Sequence, residues 1–475
     1  MRKYLYILLG FVILAFLTVS LNIGNESYFL NNYKKHIPQN IKIFLKEKVF
    51  VYQNQKILKQ IISNETDRSK KLKNQAFLIS LNKLYFNLQP NNQSISNLKI
   101  FESGATDILS RRGYLQFFQN ELYFVTGSGK IYKGNPFKEK KIILSNIDSN
   151  FHEKADIEHL LKEKSIVNHF LIENNKIYLS FVKRIKKNCF SNSILVAEMG
   201  NSSLNFNELF SPDKCLSNFF NYSSGGRLES LDENFLILTI GDYDPFSENE
   251  PYSQYDDDIR GKVLKINKKT GEYYILSKGN RNPQGLYFEK QNNLIFLSDH
   301  GPKGGDEINF QNIQENKIEN FGWPIASYGE HYETKDIAKI SIFNLKEKRE
   351  NEKKLQEKYI KQPLYKSHKE RGFKEPIKYW NNPNLAPTQL IIIFESETKE
   401  FNIYVSSLGN TGDLHRSLHH LRFDKKLKLI KSDYIKINQR IRDIIYLEEI
   451  NSLLMYLEES SSLALLKLNK KYNFK

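Results

Sequence analysis

Cysteine is nearly missing from this chain: two residues, Cys189 and Cys215, in 475. A disulfide-stapled scaffold and a cysteine-built metal centre are both excluded, and one bridge or two thiols remain open. Methionine (3) and tryptophan (2) are equally scarce. The apolar weight falls instead on 32 Phe and 27 Tyr together with abundant Ile, a composition that favours strands. Charge of one sign is also short: 54 acidic against 70 basic side chains leave a formal net charge of +16. Such a balance raises the question of nucleic acid or anionic lipid as a partner. The basic excess is spread along the whole chain, and no basic stripe interleaves with aromatics. The reading is therefore no nucleic-acid partner.

The chain start lacks a small-x-small cleavage site. Arg2 and Lys3 precede a run without charge, Tyr4 to Gly24, which is long enough to span a bilayer. The expectation is an uncleaved signal anchor over residues 1–24, with a membrane as partner through this helix. No cysteine follows, so it is not a lipoprotein signal. Positive charge at the short end keeps that end cytoplasmic and places the body in the periplasm or another extracytoplasmic space. Residues 25–100 read as a stalk or cap, with partly helical apolar spacing followed by a polar run.

From about residue 112 the chain repeats itself. An apolar run, a polar turn and a second apolar run rich in Leu, Ile, Tyr and Phe begin at Gly113, Val167, Gly226, Gln284, Thr388 and Arg442. Each reads as two antiparallel strands joined by a tight turn. The copies recur at intervals of about 54–59 residues, with one longer interval after Gln284. Strand pairs at such a period predict an all-β chain, a six-bladed β-propeller over 101–475, with the membrane helix and stalk before it. The long interval holds a charged insertion, 333–377, which reads as a solvated helix in a loop.

One stretch, Gly279 to Tyr332, gathers Arg281, Asn282, Gln284, His300, Asp306, Glu307 and Asn309 among glycines and prolines. Glycine lets backbone approach a ligand and proline fixes the turns, so this is the candidate functional loop set. Asp306 and Glu307 beside Gly301-Pro302 offer hard oxygen ligands next to carbonyls, which suits calcium. Arg440-Ile441-Arg442-Asp443 puts two guanidinium groups on one face of an extended segment. Paired guanidiniums suit a ligand with several carboxylates.

Three blocks in order, GNRNPQG from Gly279, DHGPKGGDEIN from Asp299 and NFGWP from Asn320, resemble the glucose/sorbosone dehydrogenase family, six-bladed propeller quinoproteins. The resemblance covers roughly residue 220 to the end. It implies that Arg281, Asn282, Arg440 and Arg442 contact pyrroloquinoline quinone (PQQ). It implies that the carbonyls of Gly301 and Pro302 hold a calcium ion that polarises the quinone. Asp306 and Glu307 would belong to a second, structural calcium site. The substrate implied is an aldose sugar, with an electron acceptor protein downstream.

Two positions depart from the pattern. Where the family carries its general-base histidine, this chain reads Tyr222-Ser223-Ser224-Gly225-Gly226-Arg227-Leu228, so the base position is Ser223. A serine hydroxyl does not accept a proton at neutral pH without a base beside it. Asp242, which assists that histidine in the family, and His169 are the candidates to take over. Gly409 stands where the family often has a lysine, with His415 or Arg416 as possible substitutes. Two readings follow: a membrane-anchored PQQ-dependent sugar dehydrogenase with an altered base, or a non-catalytic propeller that binds a sugar or other anionic ligand or serves as a scaffold.

Overall fold

A computed structural model of the chain describes residues 77–82, 98–103, 112–134, 142–155, 165–186, 189–200, 203–212, 215–216, 223–243, 251–331, 364–381, 385–409, 416–459 and 462–468. The expected anchor, most of the stalk and most of the charged insertion lie outside them. Among the described residues no helix is long and apolar enough to cross a membrane.

The described chain is a six-bladed β-propeller. Each blade is a four-stranded antiparallel meander. The innermost strands are Gly113–Phe118, Val167–Glu173, Gly225–Ser230, Pro283–Glu289, Pro387–Glu395 and Ile441–Leu447. They begin within a residue or two of the six repeat starts seen in the sequence. The two apolar runs that marked each copy are the first two strands of a blade. Tight turns join the strands, as at Gln119-Asn120 and Asn174-Asn175, where paired residues adopt positive φ. Apolar side chains of neighbouring blades meet in shared clusters. Phe170 and Phe181 of the second blade bury with Tyr114 and Val125 of the first, and Ile391 of the fifth buries with Ile444 and Met455 of the sixth.

The sixth blade takes three strands from the chain end, Ile441–Leu447, Ser452–Leu457 and Ser462–Lys467, and its fourth from far upstream, Leu98–Ser103. Ile100 pairs with Ala464. Phe77–Asn82 then pairs with both Leu98–Ser103 and the outer strand of the first blade, Ile142–Ser149. Both upstream strands fall largely within the stretch read as stalk or cap, so propeller pairing begins earlier in the chain than residue 101.

Five of the six innermost strands begin with a β-bulge: between Val167 and His169, Gly225 and Leu228, Pro283 and Gly285, Pro387 and Leu390, and Ile441 and Asp443. A bulge inserts unpaired residues and re-aims side chains. Repeated at the same place in successive blades, it turns the lead-in residues of each blade toward one end of the propeller's centre.

Candidate functional site

At that end lies a cavity of about 300 Å3. It is at the small end of the range for ligand sites. Five blades contribute to its wall: Arg112 from the first, Ser223 from the third, Arg281, Asn282, Gln284, His300, Gly301, Pro302 and Asp306 from the fourth, Ala386, Leu408 and Gly409 from the fifth, Arg440 and Arg442 from the sixth. Gln284 and Arg442 are the extra residues of two of the bulges.

The fourth blade builds its side of the site around Asp299. One carboxylate oxygen accepts from the Arg281 amide at 2.9 Å and the other from the Asn282 amide at 2.6 Å, which fixes the turn that presents both side chains. Burial pushes the Asp299 carboxyl up to about 6. Arg281 Nη1 donates to the carbonyls of His300 (3.1 Å) and Gly301 (2.8 Å). Asn282 Oδ1 accepts from the Gly225 amide at 3.2 Å and from Gln284 Nε2 at 2.9 Å, tying the fourth blade to the third. His300 is neutral: burial first, then the surrounding arginines, lowers its pKa to about 3, and its Nε2 bonds the Pro387 carbonyl at 2.6 Å.

On the sixth blade, Arg442 hydrogen-bonds Glu458, and Arg440 Nε stands 3.5 Å from the same carboxylate while its Nη1 donates to the Leu408 carbonyl. Burial alone would raise the Glu458 carboxyl. The charge and hydrogen bond of Arg442, then Arg440 and Arg112, outweigh it and hold it at about 2. Arg281, Arg440 and Arg442, read from the sequence, thus converge with a fourth guanidinium, Arg112. Neither Arg112 nor Glu458 stood out in the sequence. Arg112 was findable, since it directly precedes the first inner strand, the position that carries polar residues in the other blades.

Ser223 lines the cavity, but the candidates to replace the base do not. Asp242 is buried, and its Oδ2 accepts from Trp323 Nε1 at 2.7 Å. His169 is buried on the inner strand of the second blade, where its Nδ1 accepts from the Leu228 amide at 3.2 Å. Burial, then Arg227, takes its pKa well below the usual value, so it is a neutral ring. Arg227 itself pairs with Asp443 at 2.7 Å, both almost fully buried. Arg416 pairs with Glu459 rather than lining the cavity, and His415 lies outside the described residues.

Gly301 and Pro302 both line the cavity. Asp306 and Glu307 are divided by strand alternation. Asp306 faces the cavity, its two oxygens accepting the Gly301 amide (3.1 Å) and the Ala386 amide (2.9 Å), with burial raising its pKa to about 7. Glu307 faces a separate void of about 10 Å3 shared with Asp299 and Trp323, and stands 3.5 Å from His368 Nε2. Among the described residues no three His, Cys, Asp or Glu side chains are grouped to hold a metal ion. Cys189 and Cys215 are thiols. Burial, then its neighbour Cys215, raises Cys189 to about 11, so it is an inert thiol.

Sequence comparison now bears on this site. Residues 165–356 match the family described as Glucose / Sorbosone dehydrogenase. The resemblance read from the three motif blocks is borne out. The uncharacterized protein slr1608 of Synechocystis is 27% identical over 245 residues, covering 46% of this chain and 50% of that protein. The aldose sugar dehydrogenase YliI of Escherichia coli is 33% identical over 121 residues, 23% of this chain and 30% of that enzyme. The chain thus matches half or less of the length of these relatives. Among solved structures, the soluble aldose sugar dehydrogenase from Escherichia coli in the apo-form aligns with a TM-score of 0.55 at 19% identity, over 78% of this chain and 98% of that one. The holo PQQ domain of pyranose dehydrogenase from Coprinopsis cinerea aligns with a TM-score of 0.52 at 11% identity, over 81% and 98%. At these identities the structures speak to the fold alone.

Proposed function

We propose that this chain is a membrane-anchored quinoprotein that takes an aldose-type sugar beside PQQ, with the family's base position changed to Ser223. The observation that carries the reading is the convergence of Arg281, Arg440, Arg442 and Arg112 on one small polar cavity. A group with three carboxylates suits that donor set, because guanidinium forks pair with carboxylates and like charges crowded in a buried site favour an anion. Gly301 and Pro302 are the residues that would hold calcium by their carbonyls. The Gly301 carbonyl accepts from Arg281, and a cation held there would compete with the guanidinium for it. When bound, the quinone accepts a hydride and the calcium polarises it.

The chain's own residues bind and orient. Asp299 fixes the backbone that presents Arg281 and Asn282. Asn282 holds the Gly225 turn, and with it the lead-in that carries Ser223. Glu458 keeps Arg442 and Arg440 in place. Among the described residues, no side chain on the wall opposite these groups is a competent proton acceptor, so slow sugar oxidation is the expectation. The same observation favours a second reading, a propeller that binds its sugar without turning it over.

Titrating the purified full-length chain with PQQ, with and without calcium, tests the proposal. A bound-quinone spectrum that aldoses bleach slowly supports it; no bound quinone at any calcium concentration defeats it. The anchor and extracytoplasmic location rest on residues 1–24. A mature protein beginning beyond Ser20 would reject the anchor.

A further inference from the structure

A short stretch between the second and third blades, Cys215 and Leu216, is held by both. The Leu216 amide donates to the Phe190 carbonyl of the second blade at 3.0 Å, and Arg260 of the third donates through Nη1 to the Leu216 carbonyl at 3.2 Å. The Leu216 side chain is buried with Ile194 of the second blade and Leu228 of the third. The backbone contact between Leu216 and Phe190 sets the residues that precede them side by side. These are Cys215 and Cys189, the two cysteines of the chain, and their side chains share a hydrogen bond. Cys189 opens the strand Cys189–Glu198 and is 1% exposed, whereas Cys215 is half-buried.

We propose that Cys189 and Cys215 are a disulfide-forming pair, closed by a disulfide-bearing oxidant, and that the bridge clasps the entry of the third blade to the second. A disulfide needs two backbones that are close and side chains that face each other. The Leu216–Phe190 hydrogen bond supplies the first, and the contact between the two thiols supplies the second. The difference in exposure sets the order of events. Cys215 meets the oxidant. Its thiolate attacks one sulfur of the oxidant, whose S–S bond breaks, and a first thiolate leaves. Cys189 is too deeply buried to meet an outside reagent, but it needs to reach only its neighbour. Its thiolate attacks the Cys215 sulfur, the mixed disulfide breaks, and a second thiolate leaves. The protons of both protein thiols end on the two released thiols, and the electron pair given up by the protein sulfurs reduces the oxidant. The closed bridge restricts the unfolded chain between 189 and 215, which favours the folded state. An extracytoplasmic space provides such an oxidant, and the pair closes wherever one is supplied.

Oxidised glutathione, added to the full-length chain after reduction with dithiothreitol and removal of the reductant, tests this. Blocking of the remaining thiols, digestion and mass spectrometry read the product. The expected product is a Cys189–Cys215 linked peptide, lighter by the two thiol hydrogens, with no glutathione retained and both thiols regained on reduction. Cys189→Ser is expected to stop at glutathione on Cys215, and Cys215→Ser to leave Cys189 unreacted. The thermal unfolding midpoint of the bridged chain is expected to lie several degrees above that of the reduced chain, a gap that vanishes in Cys215→Ser. Glutathione left on Cys215 of the unaltered chain at the level seen in Cys189→Ser overturns the inference. So does a chain in which both thiols survive, or a bridge that joins two copies. A bridged chain that unfolds no later than the reduced one overturns the clasp. None of these outcomes depends on the quinone or on where the chain resides, so the inference stands or falls apart from the proposed function.

Discussion

Ser223 holds a backbone conformation that few side chains adopt, with φ at 50°. Its carbonyl accepts the Tyr243 amide, and a side chain at Gly241 would stand 1.7 Å from that oxygen. The turn is therefore set by its neighbours and not by the serine. Histidine is among the residues that tolerate this region, so Ser223→His keeps the turn and places an imidazole at the cavity wall. With PQQ bound, that variant is expected to oxidise aldoses roughly 10²-fold faster or more, the lower bound of general-base catalysis. Stopped-flow bleaching measures it, and an unchanged rate with quinone demonstrably bound would mean that more than the base has diverged. Glu458 supports a second expectation. Its carboxyl is held at about 2 against an ordinary 4.5. A depressed carboxyl stabilises the fold above its unfolded value and loses that contribution as pH falls through the folded value. Glu458→Gln should cost roughly 3 kcal/mol near neutrality, with the gap to the parent closing between about pH 4.5 and 2. Urea unfolding across that range checks it, and a gap that stays constant with pH would remove the ionic role. Ser223 was legible in the sequence because flanking motifs fixed its position. Its backbone geometry was not, since that depends on Gly241, which follows the end of the strand Phe235–Ile240.

The inner strand Ile441–Leu447 serves two places, the cavity with Arg442 and the buried pair with Arg227 through Asp443. The bulge makes this possible. Arg442 rises into the cavity while Asp443 turns down to Arg227, and Gly226 and Arg227 form the matching bulge across the channel. The pair is 3% and 1% exposed, and Asp443 also accepts from the Leu115 amide at 2.7 Å. Asp443→Asn keeps the shape and that hydrogen bond but leaves the Arg227 charge without its partner. Breaking one side of a buried pair costs about 3 to 5 kcal/mol. A denaturation midpoint showing less than about 1 kcal/mol lost would mean the charge is solvated through the channel. The sequence could locate the six inner strands because an apolar run ended by a turn is a local signal. It could not show the bulges, because a bulge is defined by the partner strand's register. Asp306 and Glu307, assigned from the sequence to one calcium site, are adjacent in the chain, and strand alternation turns them toward different voids.

At the scale of the whole molecule, the net charge of +16 is spread widely, but the cavity concentrates it. Four arginines meet at one end of the central axis, so an anion is drawn there from solution. The ring that holds them together is closed by one distant pairing, Leu98–Ser103 with Ser462–Lys467. This strand could not be assigned from sequence, since nothing local announces a partner so far downstream. The pairing puts a clock on synthesis. Ile100 leaves the ribosome long before its partner Ala464. At about 5–20 residues per second the early strand waits roughly 20 to 70 s with an unpaired edge. Stalled nascent chains ending at Ser461 are accordingly expected to remain protease-sensitive throughout, with a resistant core appearing only once Lys467 has emerged. A resistant core in the stalled chains would show that five blades stand without the sixth. Otherwise the newborn protein spends about a minute as an open ribbon with an exposed strand edge, a window in which a chaperone has something to hold.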